Sequence, residues 1–180
     1  MNGIAKSSTH ERLKDGSAVS SKLTELYERS APGSLRLAYL LTGDQAVAED
    51  IAQDAFVRVV GHLGHLRDPG SFDAYLRRIV VNLAKNHFRR RAVERRFLAR
   101  EAEPQPVPGP ERNSVDRRTV LDALGRLPQR QRAAIVLRYY EDLPEDAIAS
   151  VLRCRPATVR SLVARGVHAL RSDLRETLDA

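Results

Sequence analysis

Prolines stand at 104, 106, 108 and 110 in the segment EAEPQPVPGPERNS, residues 101–114. No helix or central strand survives that density, because each proline removes a backbone donor and fixes φ. One continuous core cannot be built across such a stretch, so the chain is expected to divide there. Proline at alternate positions favours extended polyproline II, which makes the stretch a semi-stiff spacer. The expected organisation is an unstructured tail over residues 1–20, a first unit over 21–97, a Pro-rich linker over 98–114 and a second unit over 115–180. A length of 180 residues leaves room for two small domains.

Both units read as helical, which gives an all-α fold class of two small helical domains, the second with a helix-turn-helix. In the first, Leu23, Leu26 and Tyr27 continue to Leu37, Leu40 and Leu41 at helical spacing, with Pro32 and Gly33 expected to kink or interrupt the helix. Thr42-Gly43-Asp44 ends it and starts the next, where Ile51, Ala55, Phe56, Val59, Val60 and Leu63 recur at steps of three and four. Glu49, Asp50, Gln53 and Asp54 fall on the other side. Asp68-Pro69-Gly70-Ser71 reads as a turn before Phe72, Leu76, Ile79, Val80 and Leu83. In the second unit Val120, Leu121 and Leu124 mark a short helix, and Pro128 is expected in the first turn of the next. That helix takes Ile135, Val136, Tyr139 and Tyr140 as its apolar stripe. Leu143-Pro144 opens a third and Pro156 a fourth, with Val159, Leu162, Val163, Gly166 and Leu170 inward. Two helices with a tight connection, the second polar and arginine-bearing, form a helix-turn-helix pattern.

Charge separates the surfaces. The chain carries 30 Lys and Arg against 23 Asp and Glu, a net +7, which suits a polyanion without naming one. From Lys85 to Arg100 seven basic residues accompany the single acid Glu94, and from Arg153 to Arg171 there are five arginines and no acid. Between Leu41 and Val60 the balance reverses to −3. Two basic stretches and one acidic stretch imply at least two kinds of partner surface.

Other classes find little support. With 42% hydrophobic residues the chain has enough apolar material for packed cores. Its longest apolar runs, such as Ala133 to Leu137, fall far short of the roughly 20 residues a bilayer requires, so no membrane insertion is expected. Residues 1–20 lack the apolar stretch of a secretory signal, and a cytoplasmic location is expected. The one cysteine, Cys154, excludes a disulfide framework. Flanking arginines would lower its pKa as a redox sensor requires, but a small, partly buried turn residue is the preferred reading. No phosphate loop, nucleophile elbow or zinc-protease pair occurs, and His62 and His65 lack further ligands, so no catalytic residue, metal or cofactor is expected.

Two stretches together carry a resemblance: AEDIAQDAFVRVV with FDAYLRRIVVNLAKNHFRRR in the first unit, and LPEDAIASVLRCRPATVRSLVARGVHALR in the second. They resemble regions 2 and 4 of bacterial sigma-70-family factors in the compact extracytoplasmic-function (ECF) group, over roughly residues 20–97 and 115–175. The resemblance implies a promoter-specificity subunit of RNA polymerase and no enzyme activity of its own. Region 2 would bind the polymerase core and melt the −10 element, and region 4 would read the −35 element as duplex. Core binding would fall to Glu49, Asp50, Gln53 and Asp54; the plainer reading is that acids favour a helix N-terminus or are simply solvated. Contacts to single-stranded −10 DNA would fall to Tyr75, Arg77, Arg78, Asn82, Lys85, Asn86, Arg89 and Arg90, with Asn82 reading an extruded base edge. Tyr75 stands where the family usually carries Trp, and either stacking or core packing suits it. Contacts to the −35 duplex would fall to Arg155, Pro156, Thr158, Arg160, Ser161, Arg165 and Arg171. Many relatives are held by an anti-sigma factor, and two linked domains would let such a partner clamp both DNA-reading faces. The alternative is a helix-turn-helix repressor acting without polymerase, which leaves the acidic face unexplained.

Overall fold

The computed structural model describes residues 7–62, 69–98 and 115–178, and all regular structure among them is helical. Seven α-helices run in order: α1 (Ser7–Thr42), α2 (Gln45–Val60), α3 (Pro69–Leu98), α4 (Val115–Arg126), α5 (Gln129–Ile135), α6 (Glu145–Leu152) and α7 (Pro156–Leu178). A π-helical turn, Val136–Tyr140, continues α5. Residues 99–114, which hold the four alternate prolines, lie outside the described residues.

The first unit is α1, α2 and α3 packed on one another. Gly43 supplies the left-handed φ of 75° that ends α1, a conformation a Cβ would strain. Asp44 then caps α2, its Oδ1 accepting from the Val47 amide at 3.1 Å. The buried stripe of α2, Ile51, Ala55, Phe56 and Val59, meets Leu37, Ala38 and Leu41 of α1 and Phe72, Leu76 and Val80 of α3. Phe56 lies edge-on to Tyr27 at 4.9 Å between centroids and tilted to Phe72 at 6.1 Å. Each fully buried Leu or Phe here stabilises the bundle by about 1.5–3 kcal/mol relative to exposure.

In the second unit α7 passes close to α5 because Gly166 has no side chain. A Cβ there would stand 2.9 Å from Ile135 Cγ1. The helix-turn-helix is α6 and α7, joined through Arg153 in a left-handed conformation with φ 51°. Ile148, Ala149 and Val151 of α6 and Val159 and Leu162 of α7 are buried. Cys154 is half-buried in the turn, its amide donating to the Ala149 carbonyl at 3.0 Å.

The two units do not stand apart. One buried apolar cluster takes Leu41, Val81 and Ala84 from the first and Ala133, Val136, Leu137 and Ile148 from the second.

Several local expectations are corrected. Helix α1 begins at Ser7, inside the stretch read as an unstructured tail. Extending an anchored helix avoids the cost of nucleation and needs no apolar face, so periodicity could not reveal it. The same helix runs through Pro32 without interruption. Pro32 and Glu28, whose carbonyl loses its donor, both face solvent, where water satisfies the group. Pro69, Gly70 and Ser71, read as a turn, belong to the first turn of α3. Pro128 is the cap residue before α5, not a residue of its first turn. Tyr139 and Tyr140 are 66% and 42% exposed and form no apolar stripe. The wider π turn changes the angle per residue, so a 3.6-residue count carried past Val136 misplaces them.

Candidate nucleic-acid interface

Helix α3 has three sides. Taking 100° per residue from Tyr75, the positions of Leu76, Val80 and Leu83 fall toward α1 and α2, and those of Arg77, Val81, Ala84 and Phe88 on the adjoining side. The third side carries Tyr75, Arg78, Asn82, Lys85, Asn86, Arg89 and Arg90 within about a 140° arc. Lys85, Asn86, Arg89 and Arg90 are exposed, and Tyr75, Arg78 and Asn82 are half-buried. Two amides, a phenol ring and four cations thus form one stripe along the helix. Flat side chains able to stack or pair, flanked by cations, are what an unstacked strand requires.

Of the two roles weighed for Tyr75, core packing is the one the structure displays. It packs against the core cluster and stands 5.9 Å, ring to ring, from His62. His62 is itself held through Nδ1, 2.9 Å from the Arg58 carbonyl oxygen. His65 lies outside the described residues.

Arg77 is not with the others. It points to the second unit, where its Nε donates to Glu141 Oε2 at 2.5 Å, the two side chains being 22% and 14% exposed. Spacing along one helix cannot show this, since it depends on what packs beside α3.

The acidic face forms as the sequence indicates, with Glu49, Asp50, Gln53 and Asp54 all exposed on α2. Gln45 Nε2 donates to Glu49 Oε1 at 2.7 Å, and Arg58 lies 3.8 Å from Asp54. Val57, 73% exposed, stands among these polar groups. A rim of acids around an apolar residue is suited to protein contact, where complementary charge steers docking.

On α7 the arc away from the core carries Arg160, Ser161, Arg165 and Arg171, all exposed, as is Arg155 just before the helix. Pro156 and Thr158 are half-buried at its start. Arg160 donates to Glu145 Oε2 at 3.0 Å, tying α7 to the first turn of α6. Ser161 Oγ donates to the Ala157 carbonyl at 3.1 Å, and Arg165 Nε to the Ser161 carbonyl at 3.2 Å. Ala157, Ala164 and His168, which the sequence reading passed over, occupy the middle of this arc and are exposed. Ala157 and Ala164 let the helix backbone approach a groove floor closely, and their place on the same arc as Arg160 and Arg165 was the available signal.

Arg132 is another residue that the sequence reading missed. It is only 6% exposed, yet its Nη1 donates to the Leu41 carbonyl at 2.8 Å and its Nη2 to the Gly125 carbonyl. Its guanidinium also lies 5.6 Å from the centroid of the Phe88 ring. Burial pushes its pKa down, and a guanidinium stays charged regardless. Its Nε has no hydrogen-bond partner. The signal was an arginine at the i+3 position of the stripe Gln129, Ala133, Val136.

No group of three or more metal-ligating side chains comes together among the described residues, and no helix there is long and apolar enough to cross a membrane.

With this geometry in place, comparison with known proteins is specific. Residues 26–94 match the family model Sigma-70 region 2, and residues 117–170 match Sigma-70, region 4. The chain is 37% identical over 156 residues to the ECF RNA polymerase sigma factor SigE of Mycolicibacterium smegmatis, covering 83% of this chain and 60% of that protein. It therefore spans less than two thirds of that relative's length. It is 30% identical over 173 residues to the ECF RNA polymerase sigma-E factor of Escherichia coli, covering 89% of each. Among solved structures, the sigma factor RpoE from Bartonella quintana, in complex with the anti-sigma factor NepR, shares the fold with a TM-score of 0.73. That match has 22% identity and covers 86% of this chain and 97% of that one. The class defined is that of two-domain, all-helical sigma factors. This chain belongs to the sigma-70 family, in its ECF group.

Proposed function

We propose that the chain is an RNA polymerase sigma factor of the ECF type, which directs core polymerase to specific promoters by −35 recognition and −10 melting. One observation carries the reading: two exposed DNA-type faces of different chemistry stand on the two family-matched units. The α3 stripe offers Tyr75, Asn82 and Asn86 among cations, chemistry for unpaired bases. The α7 face offers Arg160, Ser161 and Arg165 around small residues, chemistry for a major groove. The acidic face of α2 docks on core polymerase through Glu49, Asp50, Gln53 and Asp54.

In this scheme α7 fixes register on the duplex, with Arg160 and Arg165 toward base edges and Arg155 and Arg171 toward phosphates. Arg160 exchanges Glu145 for DNA on docking. Arg78, Lys85, Arg89 and Arg90 hold the backbone of the opened strand, and Asn82 pairs with an extruded base edge. The protein acts by binding, not by catalysing a bond change, and works in the cytoplasm beside polymerase and chromosome. The domain limits 21–97 and 115–180 and the linker 98–114 belong to the same proposal. An anti-sigma partner would have both DNA-reading units within reach on one chain.

Reconstituted transcription with core polymerase, followed by mapping of the selected start sites, tests the proposal. Promoter-specific initiation that depends on the chain is expected. Core polymerase showing no selectivity with the chain added, together with tight binding of the chain alone to duplex DNA, would instead establish the repressor reading.

A further inference from the structure

Two described residues other than glycine take a left-handed backbone, Asp142 with φ 49° and Arg153 with φ 51°. An aspartate is eased into that region by its short polar side chain, whereas an arginine has no such help and its Cβ is strained. The bonds around Arg153 show why the conformation is needed. Its amide donates to the Ser150 carbonyl at 3.4 Å and the Cys154 amide to the Ala149 carbonyl at 3.0 Å, the two bonds of a Schellman end to α6. Cys154 supplies the apolar contact that accompanies such an end, packing against the buried cluster that holds Ile148 and Ala149. Backbone groups and Cys154 thus make the whole closure, and glycine at 153 would complete it with less strain. The Arg153 side chain is exposed and makes no hydrogen bond or ion pair with any described residue.

We propose that Arg153 is a further DNA contact, its guanidinium taking a backbone phosphate beside the groove that α7 enters. Its placement at a promoter rests on the function proposed above, whereas the contact itself requires only that α7 reads duplex DNA. Exposure along the connection supports it. Arg153, Arg155 and Ala157 are exposed while Cys154 and Pro156 between them are half-buried, so one outer side runs from the end of α6 into α7. Ala157 lies on the arc of Arg160 and Arg165, and that outer side therefore continues into the reading face. The sequence from Arg153 to Arg171 holds no acid, so the connection adds only positive charge to this face. A long cation on the turn suits a phosphate at the groove edge, a contact that fixes orientation and carries no sequence information. A cation at this position also complements the C-terminal end of α6. That effect serves stability alone, and the strained backbone opposes it, so experiment separates the two roles.

The test compares Arg153→Gly with wild type in the full chain. Thermal melting followed by circular dichroism should show a Tm higher by about 2–4 °C, because glycine relieves the strain at the end of α6. With core polymerase, binding to promoter duplex should nevertheless weaken by about three- to tenfold, by one factor for every −35 sequence, and the slope of log K against log salt should shrink by about one. Arg153→Lys keeps a cation at the same place and should hold most of the affinity and the slope, with no rise in Tm. Affinity and slope equal to wild type in Arg153→Gly overturn the contact. A lower Tm with affinity and slope unchanged also overturns it, and assigns the arginine to the helix end. If core polymerase gains no promoter selectivity from wild type, the sigma-factor reading fails, and the same salt titration on duplex bound by the chain alone decides Arg153. There a slope reduced by about one in Arg153→Gly sustains the contact, and an unchanged slope, or no binding by wild type, overturns it.

Discussion

Helices α3 and α7 both carry arginine stripes, yet they are built differently. Helix α7 is two-sided, with Val159 and Leu162 against the core and a face of arginines around Ala157 and Ala164. Helix α3 is three-sided, held by its own bundle and by the second unit, with its polar stripe confined to what remains. The difference matches the task proposed for each face. Reading duplex DNA needs a helix slender enough to enter a groove. Holding one opened strand needs a rigid wall of stacking and pairing groups, and rigidity comes from packing on two sides.

The largest effect expected comes from a third surface that neither helix shares. Reversing charge at Asp50 and Asp54 together, Asp50→Lys with Asp54→Lys, places like charge against the proposed polymerase contact, at a cost of several kcal/mol and thus at least about 100-fold in core affinity. Both side chains are exposed, so helicity and melting temperature should hardly move. Titration of labelled core measures it, and unchanged affinity would assign docking to another face.

The contrast between the helices is sharpened by paired substitutions. Asn82→Ala should leave core binding and −35 recognition intact while slowing open-complex formation about tenfold, with lost preference at one −10 position. Permanganate footprinting follows the melting directly. Arg160→Ala should cost about 1–3 kcal/mol at particular −35 positions, whereas Arg171→Ala should weaken all sequences alike and reduce the salt slope by about one. A promoter library assayed with holoenzyme separates the two. If Arg160→Ala scales every promoter by one factor, the arginine that pairs with Glu145 is a phosphate contact, and the two helices differ less than proposed.

Much of this contrast was legible in the sequence, and for physical reasons. The stripe of α3 and the apolar side of α7 follow from a 3.6-residue period within single helices, and Asp44 and Gly43 mark a boundary through their own side-chain chemistry. What the sequence could not show is whatever depends on a neighbour. Arg77 stands beside Arg78, ahead of the basic tract, and reads as one more DNA contact, until Glu141, sixty-four positions later, takes it. Arg132 drew no notice in the sequence, since nothing local says that the end of α1 lies against it. The π turn escaped as well, because a single inserted residue shifts the register without altering composition.

The smallest effect expected tests whether the two units melt as one. His87, half-buried on α3, has its pKa lowered first by desolvation and next by the nearby Arg91, with Arg90 acting the same way and Asp44 and Glu94 opposing. A histidine whose folded pKa lies below its unfolded value of 6.5 binds fewer protons when folded. The unfolded chain then gains protons first as pH falls, so stability decreases on going from pH 7.5 toward 5.5. His87→Gln should flatten that slope. The shared core of Leu41, Val81, Ala84, Val136 and Ile148 makes a further demand. Although His87 belongs to the first unit, the loss should be read equally by ring resonances of Tyr75 and of Tyr139 in urea titrations at each pH. Coincident midpoints that shift together establish one cooperative body. A midpoint that shifts for Tyr75 alone would mean that the shared core parts before either unit unfolds, and would make the two helices independent in stability as well as in chemistry.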